Sequence, residues 1–413
     1  MILTKTFPNG LRLVVNQMKG FSSVSSGIIV KTGSVNETES ENGISHFIEH
    51  MLFKGTNNRS SFEISDYIDR IGAQINAFTS KEITCYYTKS TAEHLEHSLE
   101  VLSDLFFNSV FDEKELERER GVVIEEINMC EDTPEDICLD LLAESYFGKN
   151  GLGKTILGPA ENIRRFGKAE ILDYMKKYYT ADNVVISLAG DVDLNVAEEL
   201  VNKYFAESFK HFNSASQYVN APNGSKNLFR TKKIEQSHIA LSLPTFSISD
   251  ERNDLLTFAN IVFGGGMSSR LFQKIREELG LAYSVYSYAS AYKDLGVCEI
   301  YAGVNTNERD NALSAIVDEI KSFKNNGITE KEFERSKEQV KSSFIYAKES
   351  TASQMLLYGK HLLFKNEKFD ADAKIKFIES AKLNDVNNLI THVFDIDKCA
   401  VATVGPKDTP LKI

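Results

Sequence analysis

The sequence predicts an α+β fold of two related half-chain α/β domains, each an antiparallel-rich sheet with helices on one side. Three observations predict it. The chain has 413 residues, which exceeds the size at which one hydrophobic core keeps growing, so two domains are expected. Strand-like and helix-like patterns recur in the same order in both halves. A segment rich in Asn, Ser, Ala and Gly lies between the halves and lacks periodicity, which is typical of a linker.

The internal repeat is defined by matching landmarks. Ile71–Ala73 precedes a strand-like run, and Leu279–Leu281 precedes a similar run about 208 residues later. A long amphipathic helix is expected after each run, over Ala92–Phe107 and Glu308–Phe323. The predicted limits are a first domain at 1–209, a linker at 210–227 and a second, homologous domain at 228–413.

The segment Gly43–Phe53 contains two imidazoles four positions apart. On a helix His46 and His50 lie on one face, so both rings can reach a single metal ion. Glu49 lies on the adjoining flank, in the order His-x-x-Glu-His of the inverzincins. The remaining positions are mostly apolar, which indicates burial, and three titratable side chains are costly there unless they pair or bind a metal. A chance occurrence of the short pattern is the competing interpretation.

A third metal ligand is expected from a long helix over Asp112–Asp132. Glu119 and Glu126 are seven positions apart, about two helical turns, and therefore share a face. The neighbours of Glu126 one turn away are apolar, which favours a nearby cation, whereas Glu125 looks more solvated. We therefore choose Glu126; the competing interpretation is the charged face of an amphipathic helix. The apolar neighbours are Val122, Val123, Met129 and Cys130.

These residues resemble the pitrilysin and mitochondrial processing peptidase family of zinc metallopeptidases, in particular its processing-peptidase-like bacterial branch. Glu126 follows His50 by 76 residues and Glu119 precedes Glu126 by seven, as in the family. The resemblance covers essentially the whole chain. It implies one Zn²⁺ per chain, bound by His46, His50 and Glu126, with Glu49 as general base and Glu119 orienting a ligand imidazole. Further matching segments are Asn76–Thr79, Cys85–Tyr87 and Glu131–Pro134.

The second half lacks the metal motif, because Asp254–Gly265, which should match His46–His50, contains no His. Gly264–Gly266 fits either tight helix packing or a turn that lines the substrate chamber, and both interpretations stay open. Arg276 and Tyr283 have the spacing of the family's Arg/Tyr pair. The resemblance implies that Arg276 holds a substrate carbonyl and that Tyr283 donates to the developing oxyanion.

We expect Gln74–Ser80 to form an edge strand that accepts the substrate as an added strand, a mode that binds main chain and tolerates many sequences. Since the metal motif and the Arg276/Tyr283 pair lie on different halves, the resemblance implies a clamshell that closes around a chamber. Such a chamber favours extended or unfolded peptides, including presequence-like ones. The substrate-binding residues expected in the strand are Gln74, Asn76, Ala77, Phe78 and Thr79.

Family shells contain four such repeats and this chain supplies two, so the resemblance implies a homodimer. Two rival interpretations belong to other classes. One is a non-catalytic core-type subunit of a larger complex, against which the full set of predicted ligands argues. The other is an active subunit that needs a separate partner, against which Arg276 and Tyr283 argue.

Composition bounds the partners and the location. A net charge of −12 argues against nucleic acid as a partner. The chain has no apolar run of about 20 residues that could span a membrane, and its first residues lack the pattern of a targeting signal. The five Cys are odd in number and are expected to be reduced core residues. We therefore expect a cytoplasmic protein that binds peptides and neither nucleic acid nor membrane.

Overall fold

The structure is a computed structural model that describes residues 1–149, 151–209, 222, 224 and 226–407. Residues 210–221, 223 and 225 of the predicted linker lie outside the described residues. The chain forms two compact units, called here the first and the second unit. The first comprises the described residues of Met1–Ile127, Thr155–Tyr218 and Ile345–Phe369, and the second those of Asn128–Lys154, Val219–Phe344 and Asp370–Ile413.

Each unit contains one mixed sheet. The first has the strands β1 (Ile2–Thr6), β2 (Arg12–Gln17), β3 (Ser23–Val30), β4 (Gln74–Thr79), β5 (Thr84–Thr91) and β6 (Val184–Gly190). The second has β7 (Asn227–Thr231), β8 (Gln236–Thr245), β9 (Ala282–Ala291), β10 (Gly296–Asn305) and β11 (Ala400–Gly405).

The helices follow the chain around these sheets. Before β7 they are α1 (Ile44–Leu52), α2 (Ser61–Arg70), α3 (Leu95–Asn108), α4 (Glu113–Asp132), α5 (Pro134–Phe147), α6 (Ala160–Arg165), α7 (Lys168–Tyr178) and α8 (Leu194–Val201). After β7 they are α9 (Arg252–Phe263), α10 (Arg309–Asn326), α11 (Glu330–Lys348), α12 (Thr351–Lys365), α13 (Ala371–Ser380) and α14 (Leu383–Val393).

The two sheets share one topology. The strand orders are β1-β2-β6-β3-β5-β4 and β7-β11-β8-β10-β9. If β1 is set aside, the two orders correspond strand by strand. The first pair of strands in each is parallel (β2 with β6, β7 with β11), and the three following pairs are antiparallel. Strand β1 is an addition to the first sheet. The predicted α+β fold is thus confirmed, and the matching strand orders support the predicted repeat.

Both faces of the sheets are covered by helices. All seven residues of β6 are buried, as expected for a strand covered on both sides. The sequence predicts helices on one side of each sheet, and the structure adds a helix on the opposite side of both. The opposite face of the first sheet is covered by α12, through Met355 and Tyr358 against Ile29 and Val185. The opposite face of the second sheet is covered by α5.

The residue ranges of the two compact units therefore do not coincide with the two halves of the chain. Helix α5 precedes the predicted linker but packs on the second sheet, whereas α12 follows the linker but packs on the first sheet. The assignment of a separate role to 1–209 and 228–413 stays a prediction. No helix within the described residues is long and apolar enough to cross a membrane.

Candidate metal centre

Helix α1 carries both imidazoles and is fixed at its N-terminus. Gly43, which precedes it, has φ +100°, a left-handed conformation that favours glycine, and a Cβ there would lie 2.5 Å from the Leu157 carbonyl oxygen. The buried Glu37 carboxylate accepts hydrogen bonds from the N–H groups of Gly43 at 2.8 Å and Ser45 at 2.9 Å. The N–H groups at a helix start need an acceptor and favour a negative charge. Burial nevertheless raises the pKa of Glu37.

The predicted burial of α1 is observed. Seven of its nine residues are buried, His46 among them, and His50 is half-buried. The two imidazole centroids lie 4.7 Å apart, which is consistent with neighbours one turn apart on a helix face. The apolar residues of α1 join the main hydrophobic core of the first unit, so packing fixes the direction in which both rings point.

Glu126 on α4 faces both imidazoles. Its Oε2 lies 3.5 Å from His46 Nε2 and 3.6 Å from His50 Nε2, and one ligand atom from each of the three residues lies within 4.8 Å of the others. A tetrahedral ion with bonds of about 2.1 Å separates its ligands by about 3.4 Å, so these distances fit zinc. Within the described part of the chain this is the one group of three or more His, Cys, Asp or Glu side chains arranged in this way.

The apolar surroundings expected for Glu126 are only partly observed. Its neighbour Val123 is buried, but Val122 and Met129 are 49% and 70% exposed, so Glu126 does not lie in an apolar stripe. Helix geometry places it instead, because Glu126 lies two turns after Glu119 on the same face. The two glutamates contact the two nitrogens of one imidazole, with Glu119 Oε2 at 3.0 Å from His50 Nδ1.

Glu119 is buried and bridges two cationic groups. Its Oε1 lies 2.8 Å from Lys54 Nζ, while Oε2 meets His50. Burial would raise the pKa of Glu119, but the hydrogen bonds from His50 and Lys54 hold it below its usual value. Lys54 did not emerge from the sequence as a site residue. Its position just after α1 is the only local signal, and many lysines follow helices.

The two imidazoles differ in charge state. Burial lowers the pKa of His46 to about 4, with a further contribution from the charge of His50. Burial also acts to lower the pKa of His50, but hydrogen bonds to Glu119 and Glu126 outweigh it and raise that pKa to about 9. The hydrogen bond from His50 keeps the pKa of Glu126 below its usual value. Without a bound ion, His50 is therefore the charged imidazole at neutral pH.

Glu49 is not part of the three-residue group and has its own contact. Its Oε2 accepts a hydrogen bond of 2.5 Å from Thr79 Oγ1 at the end of β4. Burial raises the pKa of Glu49, while the Thr79 hydroxyl acts in the opposite direction. The result is a partly desolvated carboxylate beside the candidate metal ligands, with Oε1 left for another partner.

Comparison with known proteins identifies the family. The profile described as Insulinase (Peptidase family M16) matches residues 12–160. The uncharacterized zinc protease YmxG of Bacillus subtilis (strain 168) is 43% identical over 406 residues, which cover 98% of this chain and 98% of the relative. The chain belongs to peptidase family M16. This confirms the predicted resemblance.

Another relative and two solved structures are also similar to this chain. An uncharacterized zinc protease of Streptomyces coelicolor is 35% identical, over 97% of this chain and 89% of the relative. A protease from Helicobacter pylori has a similar fold, with a TM-score of 0.91 at 24% identity over 98% of this chain and 99% of the other. The structure of a peptidase M16 inactive domain from Pseudomonas fluorescens has a TM-score of 0.91 at 19% identity, with both chains fully covered.

A second M16 profile, described as Peptidase M16 inactive domain, matches residues 165–340. This range contains Arg276 and Tyr283, which lie close together in the second unit. The Arg276 Cζ is 5.2 Å from the centroid of the Tyr283 ring, and Tyr283 is 78% exposed. Their role relative to the candidate metal centre stays a prediction.

The glycines of the second unit have a packing role at one position. A Cβ on Gly264 would lie 2.6 Å from the backbone nitrogen of Ser287 in β9, and the Ser287 N–H donates to the Gly264 carbonyl at 3.0 Å. Gly264 therefore allows the end of α9 to approach β9. Gly266 has open space around it, so tight packing accounts for the first of the three glycines and not for the third.

The segment predicted to bind substrate forms β4, an edge strand of the first sheet whose one partner among the described residues is β5. The Ala77 N–H donates to Asn76 Oδ1 at 2.8 Å and therefore faces away from β5. The Phe78 ring lies 6.4 Å from that of Tyr87 and packs on the face covered by α12. Gln74 is exposed, and Thr79 contacts Glu49.

Proposed function

We propose that this protein is a zinc-dependent endopeptidase that hydrolyses extended or unfolded peptides. The observation that carries the proposal is the cluster of ligand atoms from His46, His50 and Glu126, which lie within 4.8 Å of one another beside the carboxylate of Glu49. The names of the M16 relatives support a zinc protease at the level of the family.

The residues present fit a catalytic zinc site. His46, His50 and Glu126 would hold the ion, and three protein ligands are the usual number for catalytic rather than structural zinc. When bound, zinc lowers the pKa of water to roughly 7 and polarises the scissile carbonyl. Glu119 would keep the His50 ring oriented by accepting from Nδ1–H, the usual task of a carboxylate behind a ligand imidazole.

Glu49 is proposed as the general base. Thr79 occupies its Oε2, which leaves Oε1 to take a proton from the attacking water and later to return it to the leaving amine. The raised pKa of Glu49, caused by burial, makes the carboxylate a stronger base than an exposed glutamate. This chemistry requires Glu49 to be ionised when the substrate binds.

The edge strand β4 is proposed to bind the substrate main chain. An antiparallel or parallel peptide can pair with a free edge through backbone hydrogen bonds, which selects extended chains and tolerates many side chains. The outward N–H of Ala77 is one donor for such a peptide once Asn76 releases it. Because Thr79 ends the strand at Glu49, a peptide on β4 would run past the proposed base.

Arg276 and Tyr283 are proposed to complete the site from the second unit. Arg276 would hold a substrate carbonyl and Tyr283 would donate a hydrogen bond to the oxygen that gains charge. The proposal includes closure of a chamber around the peptide, a homodimer as the assembly, and a cytoplasmic location. The resemblance to the family supports the chamber and the homodimer, and the composition of the chain supports the cytoplasmic location.

The proposal is tested with purified wild type and Glu49→Gln, by metal analysis and by cleavage of an unstructured basic peptide. About one zinc per chain in both, with cleavage only by the wild type, is the expected result. Zinc in both without cleavage by either would favour an active subunit that needs a partner. Absence of bound zinc from the wild type would overturn the site and favour a non-catalytic subunit.

A further inference from the structure

Lys54 extends the chain of polar contacts that starts at the candidate metal centre. Its Nζ lies 2.8 Å from Glu119 Oε1, while Glu119 Oε2 lies 3.0 Å from His50 Nδ1. One carboxylate thus uses one oxygen for an imidazole and the other for an ammonium. All three residues belong to the first unit.

The position of Lys54 is fixed from both ends. Its backbone N–H donates to the Met51 carbonyl at 3.1 Å, in the turn that ends α1. The carbonyl end of a helix carries partial negative charge and favours a cation there. The side chain then reaches α4, where Glu119 is the acceptor. Lys54 therefore links the end of the helix that carries both imidazoles to the helix that carries Glu126.

Glu119 has few alternatives to this contact. Its side chain is 5% exposed and that of Lys54 is 28% exposed, so water has little access to the Glu119 carboxylate. Within the described part of the chain, the ion pairs of Glu119 are with His50 and Lys54. Loss of the ammonium would leave one carboxylate oxygen desolvated and would free the carboxylate to rotate, and a buried charge without its partner is strongly unfavourable.

The geometry points to Lys54 as a positioning residue of the metal centre, which holds Glu119 so that its carboxylate orients the His50 ring toward the ion. This inference rests on the proposed zinc site. The ion pair of Lys54 is with Glu119, so its effect on the metal centre is expected to pass through Glu119 and His50. Loss of a group that hydrogen-bonds directly to a ligand imidazole typically costs about 10–100-fold in metal affinity or activity, so an effect relayed through Glu119 is expected at the lower end of that range.

The test compares Lys54→Met and Lys54→Arg with wild type. Zinc affinity is measured by competition with a chromophoric chelator, and kcat and KM are measured at saturating zinc. Lys54→Met is expected to bind zinc about 10-fold more weakly and to lose kcat with KM nearly unchanged. Lys54→Arg is expected to recover most of both, because a guanidinium also donates to a carboxylate.

The matched control is Lys341→Met in the second unit. Lys341 pairs with Glu379 at the same distance of 2.8 Å, but both side chains are exposed, and zinc affinity and kcat are expected to stay at the wild-type values. Melting temperatures of all variants identify a loss that is due to unfolding. If Lys54→Met does not fold, Lys54→Arg and Lys54→Gln replace it in the same comparison.

Zinc affinity of Lys54→Met equal to or tighter than wild type would overturn the inference and leave the proposed function intact. Failure of Lys54→Arg to bind zinc more tightly than Lys54→Met would also overturn it, because any cation of similar length should position Glu119. A wild type that binds no zinc would overturn the proposed function and this inference together.

Discussion

Thr79 Oγ1 donates a hydrogen bond of 2.5 Å to Glu49 Oε2. This contact joins the end of the edge strand β4 to the proposed general base on α1. It also sets the direction in which Glu49 points, because the occupied oxygen is turned to the strand. In the proposed mechanism, substrate binding on β4 and proton transfer at Glu49 would therefore be coupled through this one hydroxyl.

Replacement of Thr79 by Val is expected to impair the enzyme most at low pH. The hydroxyl lowers the pKa of Glu49 against the effect of burial, so its removal raises that pKa further. A base with a higher pKa is protonated over a wider acidic range, and kcat/KM at pH 6 should fall about fivefold, the equivalent of about one hydrogen bond. The pH dependence of kcat/KM measures the effect. Thr79→Ser, which keeps the hydroxyl, serves as control. If kcat/KM of Thr79→Val fell on the acid side at the same pH as in the wild type, the coupling would be contradicted.

Zinc uptake by the metal-free protein is expected to release about one proton per chain at pH 6, where a zinc-bound water with a pKa of roughly 7 stays mostly protonated. The pKa of His50 is raised to about 9, so its imidazole is protonated at that pH and must lose a proton to bind a metal. His46, with a pKa of about 4, is already neutral. Zinc affinity should therefore rise with pH up to about 9. Titration calorimetry in buffers of different ionisation enthalpy counts the protons, and a count near zero would mean that His50 is neutral in the free protein.

Substitution of Ala77 by Pro tests whether β4 binds the peptide main chain. The Ala77 N–H faces away from β5, so proline removes a donor from the free edge without breaking the pairing with β5. KM for an unstructured peptide should rise about tenfold, the equivalent of roughly 1.4 kcal/mol, with zinc content unchanged. Ala77→Gly keeps the N–H and is the matched control. Equal KM values for the two variants would argue against strand addition at this edge.

The second unit is expected to lose stability in acid through one ion pair. The Arg270 guanidinium binds both oxygens of Glu332 at 2.8 Å and lowers the pKa of Glu332 to about 2. A lowered pKa in the folded state gives stability that is present above the unfolded value of about 4.3 and is lost as the pH falls toward 2. After allowance for solvent screening, the contribution at pH 7 is about 1–2 kcal/mol.

Urea unfolding of wild type and Glu332→Gln between pH 7 and pH 3 measures this contribution. The difference in unfolding free energy should shrink steadily below pH 4.5. Glu379→Gln, which removes an exposed carboxylate paired with Lys341, should have no measurable effect at any pH. A difference for Glu332→Gln that is independent of pH would show that the ion pair is not its source.

Local patterns allowed the sequence to predict the candidate site. His46 and His50 are one turn apart on a helix that is apolar elsewhere, and Glu119 and Glu126 are two turns apart on another helix, so spacing alone places each pair on a face. The structure brings Glu126 close to both imidazoles, whereas its expected apolar surroundings are only partly observed, and its role as a ligand stays a prediction. Residue spacing determines which side chains share a helix face without any knowledge of tertiary packing. The burial of neighbouring side chains depends on tertiary packing, so it is harder to predict.

Long-range packing explains what the sequence did not predict. Helices α5 and α12 each pack on the sheet formed mainly by the other half of the chain, and amphipathic patterns do not specify which sheet a helix covers. The sequence does not predict Lys54 as a site residue because its partner Glu119 lies on a different helix. Glu37 likewise caps α1 from an irregular segment, and an isolated acidic residue there gives no distinctive pattern.

The measurement that tests the central claim most directly is an anomalous difference map at the zinc absorption edge, from crystals of protein purified without added metal. The account predicts one peak per chain within bonding distance of His46 Nε2, His50 Nε2 and a Glu126 carboxylate oxygen. A chain with no peak there, or with its zinc bound by other residues, would contradict it.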